Sequence, residues 1–410
     1  MGMGDKKDKA ATTIFDVYAN GLKSNCDVWI YNSSASIVDQ NMQIFIGFYK
    51  LEMDRYHAAN TAEKAADFID YDDSKINWHS GIVPKLQRGN FELFDEKKKV
   101  KSLYRPFHRQ WAYYSSFYNQ RVSRLPDIFP DQNSENLVIC LTLSGTKGFS
   151  LLISNVIPDL HLIGDAQCFP LYLYQQQEEK DMFNQDGEVG YQRKDAITNE
   201  ALDHFQSAYP ERIVSKESIF YYAYGLLHSE DFRERYADNL VKQLPRIPRM
   251  KTHADFAAVA QAGRDLAALH LNYESIVLNT QATLTGSLKG LKATAQGVKG
   301  GDDADFYVTK MKFAKKGDKS RVIYNGKITI DNIPEEAYDY VVNGKPALEW
   351  VMERQAVTTD KKSCITNDAN DWAIETMGNP RYPLELFLRV ITVGLRTQEI
   401  VRSLPKLEVI

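Results

Sequence analysis

Between Ser102 and Phe117 the chain reads SLYRPFHRQWAYYSSF, and this stretch constrains the fold more than any other. Rings at Tyr104, Phe107, Trp111, Tyr113, Tyr114 and Phe117 crowd against Arg105, His108 and Arg109, with no acid among them. Exposed ring clusters are rare on folded domains, so most of these rings belong in a core. The guanidiniums then have two destinations. They stack on rings and pair with buried acids, or they stand on a rigid base facing an anion, with phosphate contacts fixing position and a few base contacts fixing sequence.

Charge segregation bears on that choice. Residues 84–124 hold ten Lys/Arg against three acids, residues 310–327 seven against one, and residues 233–251 six against two, in a chain whose net charge is −4. The rest is therefore strongly acidic. Basic segments on an acidic chain fit a polyanion-binding face on a soluble body, while any single run reads equally well as a solvated loop. Arg105, Arg109, Arg121 and Arg124 are candidates for DNA contact, with Lys75 and Lys147 beside them. In LPRIPRMK, Pro245 and Pro248 fix an extended path that spaces Arg246, Arg249 and Lys251. These three face phosphate, or they cap the C-terminus of the helix before them. Lys310 and Lys312 open a lysine run that is either a soluble sheet edge or a second DNA-contacting arm.

A length of 410 residues suggests two or three lobes. Asn41 to Tyr56 has helical spacing, with Met42, Phe45, Ile46, Tyr49 and Met53 on one face. The segment DVWIY reads as extended. NLVICLTL and FSLLISNV read as strands joined by a turn at 145–148, and CFPLYLY as a third, at a sheet edge because of its proline. Gln175 to Lys194 reads as a mobile loop. Helices are expected over 199–209, 217–227, 231–244 and 255–273, then a hairpin at Asn325-Gly326, a helix over 334–342 closed by Asn343-Gly344, and a helical tail. The class is α+β: a mixed β-sheet lobe with helices and a helical, hairpin-containing C-terminal lobe. The expected divisions are a flexible lead-in at 1–13, a helical segment at 14–74, a β-rich recognition lobe at 75–250 and a C-terminal lobe at 251–410.

Little catalytic chemistry is legible. The four cysteines are scattered, as expected for reduced thiols in the cytoplasm. The longest apolar run is too short for a membrane span. The eight histidines lack metal-ligand spacing, and no P-loop or G-x-S-x-G is present. Two near-motifs remain. Asn379-Pro380-Arg381-Tyr382 is one residue from the Asn-Pro-Pro-Tyr of amino-methyltransferases, whose aromatic stacks on a flipped base. Asp159 with Glu178 and Lys180 has the loose spacing of a metal nuclease, although a surface charge cluster explains it better.

Several motifs together resemble one family. Tyr104-Arg105-Pro106-Phe107 with Arg109 and Tyr113-Tyr114, Lys75-Ile76-Asn77-Trp78, the FPLYL at 169–173, the LHS at 227–229 with LPRIP at 244–248, Ala262-Gly263-Arg264-Asp265-Leu266 and Pro380-Arg381-Tyr382 all resemble the C-terminal specificity region of type ISP restriction-modification enzymes. The likeness runs over about residues 14 to 405 in order. These are single-chain helicase-methyltransferase-nucleases. His108 departs from the family's pattern, whereas Arg381 agrees with it.

The resemblance implies sequence-specific recognition of duplex DNA, directing adenine methylation and cleavage by domains absent from this chain, with no catalytic or metal-binding residue here. It implies no cofactor in this chain; S-adenosylmethionine, ATP and Mg²⁺ belong to the full-length enzyme. The partners are double-stranded DNA and the methyltransferase domain of the same polypeptide. It adds Trp78 and His108 to the DNA-contacting candidates. The alternatives are a divergent methyltransferase or nuclease in its own right, and a protein-docking scaffold of a defence complex.

Overall fold

The structure is a computed structural model that describes residues 1–5, 11–142, 148–176 and 190–410. The first residues are docked rather than loose: Met3 is buried and its amide donates to Pro245 O at 3.0 Å. Strand β1 is Ala19–Asn20. DVWI, expected to be extended, forms the single turn α1 (Asp27–Ile30) before β2 (Tyr31–Asn32), which lets Trp29 and Ile30 both face the core. Helix α2 (Ala35–Ala59) starts at Ser34, whose side chain accepts from the Ile37 amide, and stops at left-handed Asn60. All five residues of its expected apolar face are buried. Short helices α3 (Ala65–Phe68) and α4 (Val83–Gln87) follow.

The aromatic stretch is a hairpin of β3 (Lys99–Arg105) and β4 (His108–Tyr113), in which Arg105 faces His108 across Pro106-Phe107. Phe107 has φ +57°, which costs a bulky residue. Burial of its ring, 5.3 Å edge-on from Tyr273, offsets that cost. Strands β5 (Val138–Thr142), β6 (Leu151–Ser154), β7 (Ile157–Pro158) and β8 (Ala166–Pro170) come next. CFPLYLY is two strands rather than one edge strand. Pro170 ends β8, which lies inside a sheet of order β1-β8-β5-β6, and β9 (Tyr172–Gln176) pairs instead with β10 (Tyr191–Asp195). Proline needs no ladder bond at the point where the chain changes sheets. Both ends of the expected 175–194 loop are thus strand.

Helices α5 (Asn199–Gln206) and α6 (Lys216–His228) carry Thr198 and Ser215 as N-caps. The helix expected over 231–244 is broken into α7 (Glu230–Arg235) and α8 (Ala237–Leu240). Helix α9 (His253–Leu271) packs along α6. The C-terminal part holds β11 (Thr283–Gly286), the small pair β12 (Lys292–Ala293) and β13 (Val298–Lys299), then β14 (Lys312–Lys315), β15 (Asp318–Ile323) and β16 (Ile328–Asp331). Residues 335–338 form a 3-10 turn rather than a full helix, and Asn343-Gly344 turns a hairpin between β17 (Val341–Val342) and β18 (Lys345–Pro346). Both turn residues have positive φ, which Asn-Gly tolerates. Helix α10 (Ala347–Arg354), the pair β19 (Val357–Thr359) and β20 (Thr366–Asp368), α11 (Ala369–Asp371) and α12 (Tyr382–Arg402) complete the chain.

The class is α+β. Two further four-stranded sheets, β2-β4-β3-β7 and β11-β16-β15-β14, join the first. The segment before residue 74 supplies a strand to each of the two N-terminal sheets, and α9 covers β6. The expected boundaries at 74 and 250 therefore pass through shared packing, and the buried apolar residues form one cluster.

Candidate nucleic-acid interface

The guanidiniums of the hairpin turn toward acids. Arg105 reaches Asp159 at 2.6 Å and Asp27 at 3.7 Å and lies over the Tyr104 ring, with 12% of its side chain exposed against 2% for Asp159. Arg109 reaches Glu274 at 2.5 Å and Asn155 at 2.9 Å. Glu274 also accepts from the Tyr382 hydroxyl at 2.6 Å, so one carboxylate ties β4, the end of α9 and the start of α12 together. His108 is buried beside Gln355, and burial with the Arg354 and Arg105 charges pushes its pKa down to about 3. A neutral imidazole brings no charge to a phosphate.

The other candidates are dispersed. Lys75 pairs with Asp72 at 3.0 Å, and Trp78 donates its indole N–H to Asp70 O. Arg124 pairs with Asp127, and Lys251 lies 3.5 Å from Glu408. Arg249 donates to His204 O and Ser207 Oγ, which caps the C-terminal end of α5. Arg249→Ala is accordingly expected to cost about 1 kcal/mol of stability, checked by urea unfolding. Arg121, Arg246, Lys310 and Lys312 are exposed and make no side-chain hydrogen bond or ion pair among the described residues. Lys147 lies outside the described residues.

Among the described residues, two grooves stand open to a ligand. The first, of about 370 Å³, has Tyr104, His108, Gln110 and Arg354 in its walls. It runs past Glu353 and Thr358 into a second space of about 580 Å³ bordered by Lys310 and Lys312. Gln110 Oε1 and Arg354 Nε are buried there without a partner among the described residues. Asp27, Glu349, Glu353 and Asp360 also line this groove, so its field is mixed. The other groove holds Lys101, Trp111, Gln132 and Asn155 and continues through Asn133 to Arg193 on the β9–β10 ribbon, each part about 460 Å³. Lys101 and Arg193 have no acid partner among the described residues, and they lie over the Trp111 and Tyr172 rings. The sequence reading counted Lys101 in the basic segment and Trp111 among the core rings, but missed Arg193 because its signal there was only loop-like polarity.

The Asn-Pro-Arg-Tyr near-motif is not assembled as an active site, and of the nuclease near-motif only Asp159 is among the described residues. Asp159 is buried on Arg105, with Tyr31 donating to it at 3.1 Å, while Glu178 and Lys180 lie outside the described residues. Among the described residues no cluster of three metal-ligating side chains occurs. In the Asn-Pro-Arg-Tyr segment, Asn379 donates to Glu385, Arg381 pairs with Asp303 at 2.7 Å, and Tyr382 is buried, so its ring has no open face for a base. Among the described residues no helix is long and apolar enough to cross a membrane.

Comparison with known proteins agrees with this geometry. The chain is similar over 100% of its length to a nuclease-deletion mutant of the Type ISP restriction-modification enzyme LlaGI, solved with a DNA substrate mimic (36% identity, TM-score 0.83), and to the ATP-dependent Type ISP enzyme LlaBIII bound to DNA (32%, 0.84). A DrdV–DNA complex is similar over 98% of the chain (28%, 0.74). The chain spans only 34%, 24% and 37% of those three proteins. No curated protein matches. Residues 13–386 match the Type ISP C-terminal specificity domain, and the chain belongs to that family.

Proposed function

We propose that this chain reads a target sequence in double-stranded DNA for a restriction-modification enzyme, directing adenine methylation and cleavage that other domains carry out. The observation that carries this reading is similarity over the whole of this chain to part of two Type ISP enzymes solved with DNA or a DNA mimic. The pairing of Asp159 with Arg105 and the burial of Tyr382 support a role without catalysis of its own. On this reading S-adenosylmethionine, ATP and Mg²⁺ serve the other domains. The protein partner is the methyltransferase domain of the same polypeptide, and the site of action is the cytoplasm.

The test is selection from randomised duplexes at low and physiological salt. Enrichment of one short sequence containing adenine is the expected result. Absence of binding at low salt overturns the reading and favours a protein-docking scaffold. Binding should weaken steeply with salt, because each neutralised phosphate releases counterions. If Lys310 and Lys312 both hold phosphates, Lys310→Ala/Lys312→Ala lowers the slope of log K against log salt by about 2. An unchanged slope removes the β14 edge from the interface.

A further inference from the structure

We propose that the hairpin of β12 and β13 grips the phosphate backbone of the DNA, with Lys292 and Lys299 side by side on its phosphates and Lys289 flanking them. This rests on the DNA-reading function proposed above and adds a contact that holds the duplex without reading its sequence. Residues 275–301 contain these three lysines and no acid. All three are exposed, and none makes a side-chain hydrogen bond or ion pair among the described residues. Of the acids that follow, Asp303 pairs with Arg381 at 2.7 Å and Asp305 with Lys327 at 2.6 Å, while Asp302 makes no ion pair with the lysines.

The register singles this hairpin out. Lys292 is directly opposite Lys299, and Ala293 is opposite Val298. Val298 is buried and Ala293 half-buried, so the neighbouring rung turns both lysines outward on one face. Like charges directly opposite each other destabilise a ribbon. A phosphate set between the two ammoniums replaces that repulsion with charge-assisted hydrogen bonds from both. The other lysine-bearing hairpin, β14–β15, is neutralised within itself. There Lys315 is opposite Asp318, Lys319 pairs with Glu349, and Arg321 pairs with Asp331.

Two rungs are too few to hold a ribbon in water, so the base must be anchored. Buried Glu385, in the first turn of α12, accepts from the Val298 amide at 2.9 Å, and Ala295 O accepts from the Leu278 amide at 3.0 Å. Arg381 donates to Gly301 O at 3.0 Å, and Asn379 donates to Glu385 at 3.0 Å. The Asn-Pro-Arg-Tyr segment thus clamps the base of this hairpin. An added Cβ at Gly297 would lie 2.9 Å from Glu385 Oε1, and one at Gly300 2.6 Å from Gly290 O. The backbone closes in at both places because neither residue has a side chain.

The experiment titrates two duplexes of unrelated sequence with the full chain, Lys292→Ala/Lys299→Ala, Lys292→Arg/Lys299→Arg and Lys299→Glu, over a series of salt concentrations. The alanine variant should lower the slope of log K against log salt by about 2 on both duplexes, so that the parent's advantage shrinks about tenfold between about 50 and 200 mM salt. The arginine variant should keep the parent's slope. Lys299→Glu should bind both duplexes more weakly while its urea midpoint rises, because it sets an opposite charge against Lys292. A lysine with only a structural role would move the two readouts in the same direction. An alanine variant with unchanged affinity and slope overturns the hairpin while leaving DNA reading intact. A loss confined to one duplex overturns the phosphate assignment. No binding by the parent at low salt removes both readings.

Discussion

Asp159→Ala is expected to destabilise the protein by about 3–5 kcal/mol, the range for breaking a buried ion pair from one side. Its carboxylate accepts from Arg105 at 2.6 Å, from the His161 amide at 2.8 Å and from the Tyr31 hydroxyl at 3.1 Å. Alanine leaves three donors without that acceptor, one of them a guanidinium with only Asp27, at 3.7 Å, as a remaining counter-charge. The loss should appear as a lower urea midpoint with unchanged slope. Arg105→Met combined with Asp159→Asn should recover most of it, because removing both charges removes the orphan. A loss under 1 kcal/mol in Asp159→Ala would show that the pair is not buried as described.

The same carboxyl gives a pH signature of unusual sign. Burial pushes its pKa up to about 6 despite Arg105, against an ordinary value of 3.8. The folded state therefore holds a proton between those values that the unfolded state lacks, so this group's contribution falls as pH rises from about 4 to 6. An ordinary paired carboxylate does the reverse. Asp159→Asn cannot titrate, so the stability difference between parent and variant should shift in the parent's favour on going from pH 7 to pH 5. A difference that is constant over that window would mean the carboxyl titrates normally.

What was legible in the sequence depended on whether a signal was local. The α2 face, the hairpin at Asn325-Gly326 and the capped helices α5, α6 and α9 rest on periodicity and turn chemistry within one segment. The family was legible because many short motifs fall in order. The fates of the cations were not, because their partners are remote in sequence: Arg105 meets Asp159 and Arg109 meets Glu274. A guanidinium looks the same in sequence whether its anion is a phosphate or a carboxylate folded against it. Pro170 misled for a similar reason, since a proline at the end of one strand and near the start of the next resembles one inside an edge strand. Strand β10 was hidden because all five of its residues are exposed, and period-two alternation vanishes when neither face is buried.

Gly263→Ala should cost about 3 kcal/mol or more, even though alanine is the better helix former. The residue sits inside α9 where that helix crosses α6. A Cβ there would lie 1.9 Å from the Tyr221 carbonyl oxygen and 2.9 Å from the Gly225 nitrogen. Gly225 is the reciprocal case, its Cβ 2.3 Å from the Val259 oxygen. Both obstacles are backbone, which cannot rotate aside as a side chain does, so the helices must separate and lose packing along their length. The consequence reaches the hairpin, because the end of α9 carries into Tyr273 and Glu274, which hold Phe107 and Arg109. Gly47→Ala is the matched control: it is also inside a helix, α2, but with nothing within 4 Å of the added carbon. There only propensity acts, and a gain of about 0.5–1 kcal/mol is expected. Urea unfolding of the two variants should therefore move in opposite directions. If Gly263→Ala were as stable as Gly47→Ala, the two helices would not touch through their backbones, and the placement of Glu274 against Arg109 would need another cause.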